Sequence, residues 1–184
     1  MAIAPATFAQ HPLGKRPTGW KSHRNHYVIL SYEKDSSGAL VFTYKEAFTP
    51  AQSRAITSFS DLTLATKQAT GPILDLEVYA DCFLEVWLNP LQNMRWSLVY
   101  DAITTKQDFS NYYFELKYKD GNDLYDRASF PTDVIPLVVR FGAKHNYPPV
   151  QPTLHGFSLN IELVHATGKP TPLTIDPDIQ NPKV

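Results

Sequence analysis

The chain has 184 residues, with 17 Lys and Arg against 18 Asp and Glu and a formal net charge of −1. That balance excludes global steering toward nucleic acid or an anionic membrane. A single cysteine, Cys82, excludes an internal disulfide and a cysteine-based zinc site. Hydrophobic residues are 43% and charged residues 19%, a globular mix on the scale of one domain. No run approaches the ~18 apolar residues that suggest a membrane-spanning helix. The N-terminus MAIAPATFAQHPLGKRP lacks the charged start and apolar stretch of a signal peptide. These features together predict a soluble, cytoplasmic protein.

Residues 1–25 read as an irregular arm. They hold a basic cluster of Lys15, Arg16, Lys21 and Arg24 around Trp20. Residues 26–184 read as one domain. HYVILSYEK (26–34) and ALVFTYKEAF (39–48) alternate apolar and polar residues, a period of two that belongs to strands. The four-residue connection DSSG predicts a hairpin. TPAQ (49–52) reads as a helix start, with Thr49 as cap, Pro50 at the first helical position and Gln52 completing a capping box. A short helical crossover is expected within 49–70.

PILDLEVYA (72–80) and FLEVWL (83–88) read as hairpin partners around a turn at 80–82. RWSLVYD (95–101) places Trp96, Leu98 and Tyr100 on one face. NYYFELKYK (111–119) places Tyr112, Phe114, Leu116 and Tyr118 inward, and Asp120-Gly121 is the strongest hairpin signal in the chain. DVIPLVVRFG (133–142) places Ile135, Leu137, Val139 and Phe141 inward. Its Pro136 lacks an amide donor, so it suggests an edge strand or a bulge. NYPPVQPT (146–153) reads as a loop, LHGFSLNIELVH (154–165) as the last long strand and LTI (173–175) as a short closing strand. About eight or nine short strands predict an all-β, antiparallel β-sandwich, jelly-roll or immunoglobulin-like, with one helical crossover.

The chemistry is less specific. Outward parity leaves Asp75, Glu77, Glu85, Glu115 and Glu162 on wet faces with Lys117, Arg95 and Arg140. Glu77 and Glu85 would oppose one another across the expected hairpin, and like charges in that position are destabilising unless something binds between them. They are the candidate catalytic pair of a carboxylate-dependent hydrolase or lyase. Phe83, Trp87 and Tyr113 share that outward parity, and large apolar groups on a wet face suggest a covered surface. Trp87, Glu85, Tyr113 and Arg140 are therefore the candidate ligand-binding set. A sugar ring on Trp87 or a homo-oligomer interface would use the same face.

The histidines do not gather into a metal site. His155 and His165 lie ten residues apart on one strand, roughly 33 Å at ~3.3 Å per residue. DGNDLYD (120–126) and DPD (176–178) offer oxygen ligands without the spacing of a calcium loop. No metal and no cofactor is expected. Asp81 beside Cys82 argues against a reactive thiolate. The arm KRPTGWKSHRNH (15–26) carries the third reading, phosphate or nucleic-acid binding through its basic residues. The reading favoured overall is a non-catalytic binding or self-assembly module.

Overall fold

The computed structural model describes residues 10–68, 76–145, 153–176 and 178–181, with backbone alone for 67–68, 76–77, 153–154 and 178–181. In chain order the elements are β1 (Arg24–Lys34), β2 (Leu40–Pro50), α1 (Phe59–Ala65), β3 (Lys67–Gln68), β4 (Leu76–Glu77), β5 (Cys82–Leu88), β6 (Met94–Trp96) and β7 (Ile103–Thr105). They continue with β8 (Tyr113–Asp120), β9 (Asp123–Tyr125), β10 (Val138–Ala143), β11 (Thr153–Leu163), β12 (Thr171–Ile175) and β13 (Asp178–Asn181). One sheet runs β3-β2-β1-β5-β10-β8-β9. The other is built on β11, with β6 and β7 paired to it, β12 and β13 paired at separate stretches of it, and β4 beside β13. The protein is an all-β, sandwich-like fold with one short helix among the described residues, as the alternation predicts.

Dyad spacing builds the core between the sheets. Val28 and Leu30 from β1, Leu84, Val86 and Leu88 from β5, and Val139 and Phe141 from β10 meet Phe157, Leu159 and Ile161 from β11. Each large side chain taken fully out of water contributes roughly 1.5–3 kcal/mol. The outer face of the seven-stranded sheet is also covered. Tyr27, Ile29, Trp87 and Val138 pack there against Leu62 of α1.

The hairpin β1–β2 forms as expected, and Gly121 takes the left-handed backbone (φ 56°) of the tight β8–β9 turn. Several expectations are corrected. The sandwich is not wholly antiparallel, because β1 lies parallel to β5 and β4 parallel to β13. The helix starts after Ser58, whose hydroxyl accepts from the Asp61 amide at 3.1 Å, while Thr49 and Pro50 finish β2. A polar cap three residues ahead of a free amide decided the start, not the proline.

The expected 72–80/83–88 hairpin does not form. The neighbours of β5 are β1 and β10, and Leu76 and Glu77 pair with β13 in the other sheet. Residues 71–75, with Asp75, lie outside the described residues, as does the loop 146–152. β6 ends at Trp96, so Leu98 and Tyr100 are exposed and do not share a strand face with buried Trp96. β10 is central, between β5 and β8, because it begins at Val138 and leaves Pro136 outside the ladder. Ile135, expected inward, is consequently exposed.

A bulge in β8 positions the site. Arg140 pairs with Lys117 and Gly142 with Phe114, so three steps on β8 oppose two on β10. The extra residue is accommodated at Glu115, the one non-glycine residue with positive φ (60°) among those described. A bulge of this kind flips side-chain parity. Tyr118 faces the core, as alternation predicts, but below the bulge Tyr113 takes the core position and Phe114 turns outward.

Candidate functional site

Of the residues expected to form an exposed binding face, Tyr113 lies in the core, while Trp87, Glu85 and Arg140 stay on the outer face but are covered or paired. Tyr113 is fully buried between the sheets, and its hydroxyl lies 2.7 Å from His155 Nδ1. The bulge put it there, which overturns its expected exposure. Trp87 keeps its outward parity but is covered by α1. Its indole N–H donates to Glu85 Oε1 at 2.8 Å. Phe83 lies under the guanidinium of Arg140, 3.6 Å from the ring centroid, and edge-on to Trp20 at 5.1 Å.

Glu85 does not oppose Glu77, which sits on a strand of the other sheet and whose side chain lies outside the described residues. Instead Glu85 accepts from Lys119 Nζ at 2.7 Å, with Arg140 beside it in register. Burial lowers the Arg140 guanidinium from its ordinary value, against the opposing pull of Glu85 and Glu115. Lys119 was missed in the sequence because nothing in its spacing announces a partner 34 residues away. The carboxylate-pair premise of a hydrolase or lyase is therefore gone.

Cys82 is buried, and burial pushes its thiol up to about 12, so it is a small core residue and not a nucleophile. His155 stacks on Phe109 at 4.3 Å. His165 lies exposed against Thr171. No group of three or more His, Cys, Asp and Glu side chains able to hold a metal forms among the described residues.

The arm and the bulge together build a cleft. Gly14 pairs with the bulged strand, its amide donating to Tyr113 O and its carbonyl accepting from the Glu115 amide, both at 2.9 Å. A Cβ at Gly14 would run into the Ser110 carbonyl, so the close approach requires glycine. Trp20 then anchors the arm edge-on to Phe114 at 4.7 Å. It does not serve as a stacking platform, because it is itself buried.

The open cleft so formed has a volume of about 540 Å³, inside the ~300–1,000 Å³ range of small-molecule sites. The arm contributes Lys15 and Arg16 to its lining, β8 contributes Lys117, and the 3-10 turn after β9 contributes Arg127. Three of these cations face a carboxylate of the same cleft. Arg16 lies 3.8 Å from Glu115, Lys117 2.7 Å from Asp126 and Arg127 3.3 Å from Asp101. Lys15 is exposed and has no ion-pair partner among the described residues. Tyr118 borders the cleft, but its phenol is buried in the core, pushed up to about 12 mainly by burial, and its O–H donates to Ser97 O at 2.8 Å.

Fold and site define a two-sheet β-sandwich protein with a cleft lined by four cations and three carboxylates. A family model described as a predicted novel nucleotide synthetase matches residues 13–183, and the chain belongs to that family. No curated protein matches the chain. Membership overturns the expectation of a non-catalytic binding or self-assembly module, since the family is described by a synthetic reaction. The basic arm, ranked third in the sequence, supplies two of the four cations of the cleft. No helix among the described residues is long and apolar enough to cross a membrane.

Proposed function

We propose that this chain is an enzyme that makes a nucleotide, and that the cleft at the β8 bulge holds the phosphate groups of its substrates. Family membership supports the reaction class. One observation carries the location: four cations from three separate chain segments meet around Glu115, a non-glycine residue held in left-handed backbone. Such backbone costs of order 1–3 kcal/mol and persists where the surroundings impose it, often at working sites.

Phosphoryl chemistry asks the protein mainly for positioning and charge stabilisation. Arg16, Lys117 and Arg127 would exchange their carboxylate partners for phosphate oxygens, and Lys15 is available without exchange. Arg guanidinium edges suit phosphate bidentately, and Lys acts as a point charge.

The test is product formation. Purified protein is incubated with nucleoside triphosphates, alone and with nucleoside acceptors, and new nucleotides are sought by mass spectrometry. The double variant Lys117→Ala/Arg127→Ala should lose product while keeping its fold. Unchanged turnover in that variant would remove the cleft from the reaction. If the wild type neither forms product nor binds any nucleoside triphosphate, the functional reading fails.

A further inference from the structure

At the start of β1, away from the cleft, two neighbouring side chains carry buried nitrogens with no hydrogen-bond partner among the described residues. Arg24 and His26 are two residues apart on β1 and so share a face, the one that carries Val28 and Leu30 into the core. Arg24 Nε and Nη2 are screened from solvent and have no hydrogen-bond partner among the described residues. These two nitrogens form the side-on fork that grips carboxylate or phosphate with two parallel bonds. His26 is fully buried. Its Nε2–H donates to Glu46 Oε2 at 2.7 Å, and its Nδ1 has no hydrogen-bond partner among the described residues.

Both side chains rest on one ring. The Arg24 guanidinium carbon lies 4.7 Å from the Phe48 centroid, and the His26 ring lies 4.2 Å from it. Tyr79 flanks Arg24 as well, at 5.8 Å. No acid forms an ion pair with Arg24 among the described residues.

Buried polar groups are almost always satisfied, and an orphaned cationic fork is among the costlier exceptions. Here a second orphan, on a ring oriented by a carboxylate, shares its neighbourhood. We propose that Arg24 and His26 form an oxyanion site that takes a phosphate or carboxylate group of a ligand. The Arg24 fork holds two ligand oxygens. His26 Nδ1 shares one proton with a ligand oxygen, accepting it from a P–OH or COOH group or, when protonated, donating it. Phe48 and Tyr79, 47% and 46% exposed, form the outer wall of the site. The site is separate from the cleft, whose lining includes none of Arg24, His26, Phe48 and Tyr79.

The experiment titrates inorganic phosphate, and in a second arm acetate, into three proteins, followed by calorimetry and thermal denaturation. They are the wild type, Arg24→Lys, and Lys117→Ala/Arg127→Ala in the cleft. Binding should persist in the cleft variant and weaken ~10-fold or more in Arg24→Lys, because lysine keeps the charge and loses the fork. Response to phosphate alone assigns a phosphate group, and response to acetate assigns a carboxylate.

Should Arg24→Lys not fold, the ring nitrogens of His26 are followed by NMR in the wild type. A shift of Nδ1 on titration supports the site. Equal affinity in Arg24→Lys and wild type overturns it, and so does a His26 ring unmoved by either anion. Phosphate binding lost only in the cleft variant would leave the cleft reading standing and this one refuted.

Discussion

Lys119 Nζ lies 2.7 Å from Glu85 Oε1 beneath the segment that carries α1, and each side chain is 7% exposed. The pair is completed by the Trp87 indole N–H on Glu85 and by a 3.4 Å bond from Lys119 to Ile56 O. Removing one partner of such a pair leaves an uncompensated buried charge, which costs about 3–5 kcal/mol. Lys119→Met should therefore lose about that much stability in urea denaturation. The double variant Glu85→Gln/Lys119→Met should recover most of it. A single variant within ~1 kcal/mol of wild type would mean that solvent already screens the pair.

Glu115 offers a test of the bulge. Glycine takes positive φ without the roughly 1–2 kcal/mol steric cost of an L side chain. Glu115→Gly should leave thermal stability unchanged or slightly raised, because the side chain makes a 3.8 Å contact with exposed Arg16 and a longer-range attraction to Arg140, both weak. Nucleotide binding in the cleft should change at the same time. A clear drop in melting temperature would show that the side chain, not the backbone pairing with Gly14, holds the bulge.

Gly142 faces the ring of Phe114, which a Cβ would strike. Phe114 in turn carries Trp20 and hence the arm. Gly142→Ala should cost about 1–3 kcal/mol by overpacking. It should also loosen the arm, read as faster tryptic cleavage at Lys15 and Lys21. An arm cut at the wild-type rate would show that Gly14 alone fastens it.

Stability should fall on acidification. Burial holds His26 below its ordinary value despite the opposing hydrogen bond to Glu46, and burial holds His155 down as well. The unfolded chain then protonates first, near pH ~6.5. The stability due to each neutral ring is complete above that point and is lost as pH falls toward the folded value. Melting temperature should decline between pH 7 and pH 5, and His155→Gln should flatten the decline. A flat wild-type profile would contradict the burial of both rings.

Much of the fold was legible because strand patterning is local. Val28 and Leu30, Leu84 and Val86, and Phe157, Leu159 and Ile161 sit where alternation sends them. The Asp120-Gly121 turn was legible for the same reason, as a tight turn needs only its own residues. Tyr113 was misplaced because a bulge depends on the partner strand and on the docked arm, neither of which leaves a mark in residues 112–119. Trp87 was misplaced because its cover, Leu62, lies 25 positions earlier. The candidate site was legible only in its basic arm. Asp101, Lys117 and Arg127 look like ordinary wet-face residues until three segments converge.

The order of apolar and polar side chains by itself determined that this chain folds as stacked sheets, because period-two burial satisfies the backbone and the core together. Which strands became neighbours, where β8 gained its extra residue, and which charges met were decided only in the folded molecule. Pairing register, sheet partner and ion-pair contact are set by interactions between residues far apart in the chain, and spacing along the chain does not encode them.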